Sequence, residues 1–144
     1  MEQQSRRRRH KIALVPIELL KPHEQVIEEH VRALAEDIAS RGILIRPILV
    51  DSKTFTILDG HHRVEALRRL GARYVPAIVV DYDRDDEVEV TSWRPGVVVT
   101  KDMVRRAALS RRLMPPKTSR HVTKFEVPDV NMPVERLGVK VDRR

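Results

Sequence analysis

Apolar residues recur at helical spacing in three segments of the chain. They predict amphipathic helices over residues 25–41, 61–70 and 102–113, because positions three and four apart lie on one face of a helix. Gly42 and Gly71 follow the first two segments, and glycine ends helices readily because it adopts the left-handed conformation without steric cost. The apolar face of the first predicted helix is made by Ile27, Val31, Leu34 and Ile38.

Runs rich in β-branched residues predict short strands between these helices. Residues 75–82 are apolar almost throughout, as in a central strand buried on both faces. Two further runs flank Ser52-Lys53-Thr54, which is a hairpin signal. Strands and helices intermingle, so we expect an α+β fold, a small mixed β-sheet with flanking helices. The remaining predicted strands are residues 12–15, 48–51, 55–58, 88–93, 97–100 and 122–127, and single helical turns are predicted over 17–20 and 133–137.

Composition and charge narrow the classes of function. The 144 residues include no cysteine, which excludes disulfides, thiolate zinc sites and cysteine nucleophiles. The net charge of +7 divides into +4 over residues 1–11, −4 over residues 12–100 and +7 over residues 101–144. The basic C-terminal region could bind phosphate, either of DNA or of a nucleotide. The five aromatic residues are too few to stack along single-stranded nucleic acid.

The N-terminal residues form a charge run without an apolar face. We expect a disordered basic tail over residues 1–11, able to contact nucleic acid nonspecifically, followed by a single domain over residues 12–144. No apolar run reaches the ~18–20 residues of a membrane span, and no signal peptide is visible, so we expect a cytoplasmic protein. Arginine outnumbers lysine, and Asn and Gln are scarce, which indicates a heat-adapted source or, equally, a GC-rich genome.

The chemically most informative segment is Asp59-Gly60-His61-His62-Arg63, at the junction of a predicted strand and a predicted helix. A helix start presents free N–H groups and a partial positive charge, which suit an anion. Cationic or donor side chains at this end oppose helix stability, and such a local conflict is typical of a functional site. We therefore predict an anion site here. The alternative is a solvated turn with two exposed histidines, and a zinc site is a weaker interpretation.

This segment resembles the phosphate-binding turn of the ParB/sulfiredoxin superfamily, whose members carry Gly-x-x-Arg at this place. The resemblance extends over residues 12–82 and includes Pro47-Ile48-Leu49-Val50 and Val75-Pro76-Ala77. It implies a ParB/sulfiredoxin-like, nucleotide-binding core, with residues 83–144 as an extension that closes the site. The sulfiredoxin branch requires a cysteine where this chain has His61, and is excluded.

Two branches of the superfamily remain. Chromosome-partitioning ParB proteins usually carry Gly-Glu-Arg-Arg here, followed by a helix-turn-helix region, whereas this chain has one clear predicted helix after residue 82. The free L-serine kinases of archaea and some bacteria are more similar. They share Asp-Gly-His-His-Arg, an early glutamate (Glu24), a later tryptophan (Trp93) and the loop Pro-Pro-Lys-Thr-x-Arg-His (residues 115–121). Members of that branch are longer than this chain.

The resemblance to the serine kinases implies phosphoryl transfer from ADP or ATP to the hydroxyl of L-serine, with Mg²⁺. Glu24 would be the general base, Asp59 would assist it or bind Mg²⁺, and Trp93 would contact the substrate. The donor nucleotide stays open, and a ParB-type nucleotide-dependent DNA-binding protein is the alternative. The residues that would hold the phosphates are Gly60, His61, His62, Arg63, Lys117, Thr118, Ser119, Arg120 and His121.

Simpler roles compete with these assignments. Glu24 could instead cap the helix that follows it, and Asp59 could be a turn residue. Trp93 could belong to the core, and the segment 115–121 could be a linker with ordinary surface charges. We expect His30 to be a packed or exposed histidine, and the role of His23 is open.

Overall fold

A four-stranded mixed sheet forms the centre of the computed structural model, which describes residues 10–141. Its neighbouring strands are, in order, β1 (Ile12–Pro16), β5 (Tyr74–Val80), β3 (Ile48–Asp51) and β4 (Ile57–Asp59). The central strand β5 pairs antiparallel with β1 and parallel with β3. The short strand β4 completes the predicted hairpin with β3. The apolar run in β5 is buried, so the prediction of a central strand is confirmed.

Two helices cover the sheet and pack against each other. Helix α1 (Glu28–Arg41) starts three residues later than the apolar spacing predicts, and Gly42 ends it in the left-handed conformation with φ 72°. Helix α2 (His61–Arg69) starts directly after β4. Their buried side chains meet the sheet in one apolar core. Mixed strands and helices on a small sheet confirm the α+β class.

The C-terminal part of the chain adds a second, smaller layer. Strands β6 (Val88–Ser92) and β7 (Ser119–Thr123) form an antiparallel ribbon. Helix α3 (Lys101–Ser110) lies between them in sequence, and the Thr100 side chain caps it by accepting a hydrogen bond from the Met103 N–H. The two-residue strands β2 (Ile43–Leu44) and β8 (Met132–Pro133) pair near the end of the chain. They are followed by a single 3₁₀ turn, Val134–Leu137.

Two predicted strands differ from the structure. Residues 97–100 form no strand and instead lead into the cap of α3; of the three valines in this stretch, only Val99 is buried. The strand predicted over residues 122–127 instead runs over Ser119–Thr123. Pairing with β6 sets these bounds, because the ladder runs from Ser119 opposite Ser92 to Thr123 opposite Val88.

Most of the predicted basic tail, residues 1–9, lies outside the described residues. At its end the His10 ring stacks on Phe125 with centroids 3.8 Å apart, and its Nε2 lies 3.1 Å from the Asp85 carboxylate. Within residues 10–141, no helix is both long and apolar enough to cross a membrane.

Candidate active site

A cleft of about 350 Å³ lies between the start of α2, the segment around Glu24 and the segment that leads into β7. It collects side chains that are distant in sequence. Of the predicted site residues only Thr118 does not line it; Gln25, Leu34 and Leu58 line it without having been predicted. The predicted residues that line it are Glu24, Asp59, Gly60, His61, His62, Arg63, Trp93, Lys117, Ser119, Arg120 and His121.

The turn between β4 and α2 is fixed by close packing. Gly60 has φ 109°, and a Cβ atom built on it would lie 2.5 Å from Ile48 Cγ2. Only glycine fits both the dihedral angle and the space. Within residues 10–141 no side chain caps the helix at this residue, so the first N–H groups of α2 are left for another partner at the cleft wall.

Asp59 and Arg63 close the same turn. The Arg63 guanidinium donates hydrogen bonds to the Pro47 carbonyl and, at 3.3 Å, to Asp59. Burial lowers the pKa of Arg63, and the Asp59 carboxylate opposes that effect. The Asp59 side chain stays 65% exposed, so part of its carboxylate faces solvent in the cleft. Arg63 therefore holds the turn against β3 as well as adding positive charge.

His61 and His62 anchor the segment that carries Glu24. The Nε2 of His61 accepts a hydrogen bond from the His23 backbone N–H at 3.1 Å, and the Nε2 of His62 accepts one from the Ile27 N–H at 3.0 Å. A nitrogen that accepts a hydrogen bond carries no proton, so both rings are neutral here. Burial lowers the pKa of both, well below the ordinary value for His61. Only the Nδ1–H of each ring is left to donate to a ligand.

Glu24 lies between the two walls of the cleft. The first wall is the turn from Asp59 to Arg63, and the second wall is the segment from Lys117 to His121. Its side chain is 8% exposed, and its carboxylate accepts hydrogen bonds from the Thr118 N–H at 3.0 Å, the Ser119 N–H at 3.3 Å and the Ser119 hydroxyl at 2.6 Å. The residue at the start of α1 is Ile27, without a side-chain cap. The alternative that Glu24 caps this helix is therefore wrong.

Backbone hydrogen bonds hold Glu24 in place on both sides. Lys21 forms a bridge to Thr56 beside β4, and Glu24 forms one to Met114. The Gln25 N–H donates to the Met114 carbonyl at 2.8 Å, and the Met114 N–H donates to the His23 carbonyl at 2.9 Å. The segment is thus an extended strip between the sheet and the second wall.

The outer residues of the second wall, Lys117 and Arg120, are exposed. The Arg120 guanidinium lies 4.6 Å from the centroid of the Trp93 ring, and the Trp93 side chain is 57% exposed. A core role for Trp93 is therefore wrong. Lys117 has φ 56° and is exposed at the cleft mouth. The Thr118 hydroxyl donates to the Pro115 carbonyl at 2.7 Å, so Thr118 serves the wall through its backbone.

Two further histidines support the cleft: His23 is buried behind it, and His121 is part of its lining. His23, whose role the sequence left open, has Nδ1 2.7 Å from the Ile57 carbonyl oxygen and Nε2 2.8 Å from the Ser119 hydroxyl. His121 has Nε2 2.8 Å from the Tyr82 hydroxyl, and burial lowers its pKa to about 3. His30 is exposed, with its ring 5.5 Å from that of His62, and it does not line the cleft, as expected.

Comparison with known proteins agrees with this architecture. The family model described as the ParB N-terminal domain matches residues 1–93. The chain belongs to this family. Two solved structures share the fold of this ParB N-terminal domain protein, each with a TM-score of 0.79. One is a free serine kinase in complex with AMP, 18% identical, with 90% of this chain and 95% of that chain covered. The other is a C-terminally truncated SbnI from Staphylococcus aureus, 12% identical, with 91% and 90% covered.

Curated relatives match part of the chain. An ADP-dependent L-serine kinase of Thermococcus kodakarensis is 38% identical over 92 residues, 60% of this chain and 38% of that protein. An ATP-dependent L-serine kinase of Staphylothermus marinus is 35% identical over 89 residues, 59% of this chain and 35% of that protein. A ParB-like protein of Sulfolobus acidocaldarius is 41% identical over 78 residues, 51% of this chain and 36% of that protein. The matched segments thus span well under half of the relatives' length.

Sequence reasoning missed His23, Gln25 and Tyr82, which support or line the cleft. Gln25 and His23 flank Glu24, but nothing in the local pattern tells which side of an extended segment faces a site. Tyr82 ends the apolar run of the central strand, where a core role is the ordinary interpretation.

Proposed function

We propose that this protein is a free L-serine kinase that transfers a phosphoryl group from ADP or ATP to the serine hydroxyl, giving O-phospho-L-serine. The observation that carries the proposal is the meeting of Glu24 with two clusters of phosphate donors in one cleft. The names of the relatives in Thermococcus and Staphylothermus point to the same reaction. We assign residues 12–144 to one domain, in which residues 83–144 close the site, and place the enzyme in the cytoplasm.

Phosphate binding falls to the two walls of the cleft. The open N–H groups at the start of α2 and the guanidinium of Arg63 face the phosphates from one side. Lys117 and Arg120 supply positive charge from the other. Phosphoryl transfer is catalysed mainly by alignment and by neutralising charge on the phosphoryl oxygens. A polyphosphate held between both walls would meet both requirements.

Glu24 is the proposed general base. Its carboxylate lines the cleft, and the three donors that surround it fix its orientation. It would accept the proton of the serine hydroxyl as the oxygen attacks the phosphorus. Trp93 and Arg120 lie together at the mouth, where we place the contact with the serine substrate.

Asp59 is the proposed ligand of Mg²⁺. Magnesium is usually held by one or two carboxylates together with substrate phosphates, and the exposed Asp59 carboxylate beside the phosphate turn fits this need. When bound, the ion would neutralise charge on the phosphates. Glu24 fits the ion less well, because both of its oxygens already accept hydrogen bonds.

The test is to incubate the protein with L-serine, Mg²⁺ and either ADP or ATP, and to detect O-phosphoserine. D-serine and L-threonine serve as matched substrates, and the comparison of the two nucleotides settles the donor. Binding to duplex DNA is measured in parallel over a salt series, because phosphate-directed binding falls steeply with salt. Tight, sequence-selective DNA binding without serine-dependent turnover would favour the ParB-type alternative.

A further inference from the structure

A buried chain of hydrogen bonds runs from Glu24 away from the cleft. The Glu24 carboxylate lies 2.6 Å from the Ser119 hydroxyl, which lies 2.8 Å from His23 Nε2. On its other side, His23 Nδ1 lies 2.7 Å from the Ile57 carbonyl oxygen. His23 and Ser119 are both buried. We propose that His23 and Ser119 form a proton relay that shares with Glu24 the proton taken from the substrate, an inference that rests on the proposed function.

The hydrogen-bonded series Glu24–Ser119–His23 has one proton fewer than its contacts can use. The Ile57 carbonyl can only accept, so His23 Nδ1 carries a proton. Ser119 has a single hydroxyl proton, which it can give either to Glu24 or to His23. With Glu24 ionised and His23 neutral, one of the two contacts of Ser119 therefore lacks a proton. The chain can hold one more proton, and both contacts become hydrogen bonds when it does.

The added proton has two positions. In one, Glu24 is protonated and donates to Ser119, which donates to His23 Nε2. In the other, Ser119 has passed its own proton to His23 and taken the one from Glu24, which leaves an imidazolium and a carboxylate. The substrate O–H bond breaks, one bond to hydrogen forms within the chain, and no other reactant is needed. Without His23 and Ser119, the proton would have a single position, on Glu24.

The surroundings set the balance between the two positions. Burial lowers the pKa of His23, whereas the Ile57 carbonyl and the Glu24 carboxylate raise it. His61 and His62 face this pair from α2, and His121 faces it from β7. Lys117, Arg63, Arg120 and Asp59 line the same cleft. The rings of His61 and His62 accept hydrogen bonds and are therefore neutral. The charged group that lies nearest to His23 in this set is the Glu24 carboxylate, 3.6 Å from its Nε2.

The first experiment needs no substrate. Nitrogen-15 NMR of the His23 ring is recorded against pH in the full chain and in Glu24→Gln. We expect a neutral ring with the proton on Nδ1, and a titration midpoint that moves to lower pH in Glu24→Gln because the carboxylate charge is lost. A proton on Nε2 in the neutral ring, or the same midpoint in both proteins, overturns the relay.

The second experiment is the pH profile of kcat for Ser119→Ala. Without the hydroxyl, the proton is confined to Glu24, so we expect kcat to fall about tenfold, less than the full contribution of a general base, and its acid limb to shift away from that of the parent protein. Ser119→Thr keeps the hydroxyl and restores both. Thr123→Val is the matched control, because it removes a hydroxyl on the same strand that donates to the Phe125 carbonyl at 2.8 Å.

The outcomes separate the relay from the kinase proposal. Ser119→Ala with an acid limb like that of the parent protein overturns the relay and leaves serine kinase activity standing. Coupled titration of His23 and Glu24 without phosphoserine formation overturns the kinase proposal instead, and with it the assignment of the shared proton to the serine hydroxyl.

Discussion

The two walls of the cleft are held in place by different forces. The first wall, the turn from Asp59 to Arg63, packs on the apolar core and leaves no room for a Cβ atom at Gly60. The second wall, from Lys117 to His121, is tied to the first through polar contacts with Glu24 and His23. The first wall is therefore rigid through burial, whereas the second wall depends on the same groups that the proposed chemistry uses.

Breaking the first wall has the largest expected effect. Gly60→Ala must fit a methyl group against Ile48 and adopt φ 109°, which we expect to destabilise the protein by about 2–4 kcal/mol and to abolish nucleotide binding. Urea unfolding and calorimetry measure the two effects. Gly42→Ala is the matched control, because φ there is 72° but nothing lies within 4 Å. Equal losses for both variants would contradict the packing argument.

Removing the hydrogen bonds by which Glu24 connects the two walls has the second largest expected effect. In Glu24→Gln an amide replaces the carboxylate that three donors surround. We expect kcat to fall by about two orders of magnitude or more, as for loss of a general base, and stability to fall by about 1–3 kcal/mol. Turnover assays and thermal unfolding measure these, with the exposed Glu29→Gln as control. A lowered melting temperature with nearly normal kcat would assign Glu24 to the scaffold and the base to Asp59.

We expect acid to destabilise the polar contacts between the two walls before it destabilises the apolar core. His23, His61, His62 and His121 all have pKa values lowered by burial. Such groups bind protons more readily in the unfolded chain, so their contribution to stability is complete above about pH 6.5. It is lost as the pH falls toward the folded-state values, at no more than ~1.4 kcal/mol per pH unit for each histidine.

Thermal unfolding from about pH 7.5 to about pH 4.5 checks this expectation. His62→Gln keeps an acceptor for the Ile27 N–H but removes one titrating group, so its melting temperature should fall less steeply with acid. A slope for His62→Gln equal to that of the parent protein would contradict the proposed role of His62.

The smallest effect is expected at the mouth of the second wall. Arg120→Ala removes an exposed cation stacked on Trp93. An ion pair between an exposed cation and a phosphate contributes only about 0.2–1 kcal/mol, so we expect nucleotide affinity to fall only a few-fold, by calorimetry. Arg112→Ala, an exposed arginine after α3 that does not line the cleft, is the control. If both variants weaken nucleotide binding equally, Arg120 acts only through overall charge.

The sequence predicted the core better than the second layer, for physical reasons. The run in β5 and the apolar face of α1 are local signals of burial, and both elements formed as expected. Strand β7 is hidden in the sequence because its polar residues Ser119-Arg120-His121 pair with β6 only in the tertiary structure. The valines before Thr100 look like a strand, but only Val99 is buried.

The site divides in the same way. The strand–glycine–helix pattern at Gly60 is local, so elementary helix electrostatics already indicated an anion site there. The second wall could be assigned to the cleft only through the resemblance to known kinases, because nothing in residues 117–121 points to a turn some 60 residues earlier. The roles of His23 and of the neutral His61 and His62 depend on individual hydrogen bonds, which no sequence pattern encodes.

The consecutive residues His61 and His62, at the start of α2, accept hydrogen bonds from the backbone N–H groups of His23 and Ile27, respectively. The helix fixes the distance between these two hydrogen bonds, so the number of residues between His23 and Ile27 is fixed as well. Side chains between His23 and Ile27 can change freely where they face solvent. One residue inserted or deleted there would break one of the two hydrogen bonds and turn Glu24 away from the cleft. The position of Glu24, the proposed base, therefore depends on the number of residues between His23 and Ile27, and this segment tolerates substitution far better than a change in length.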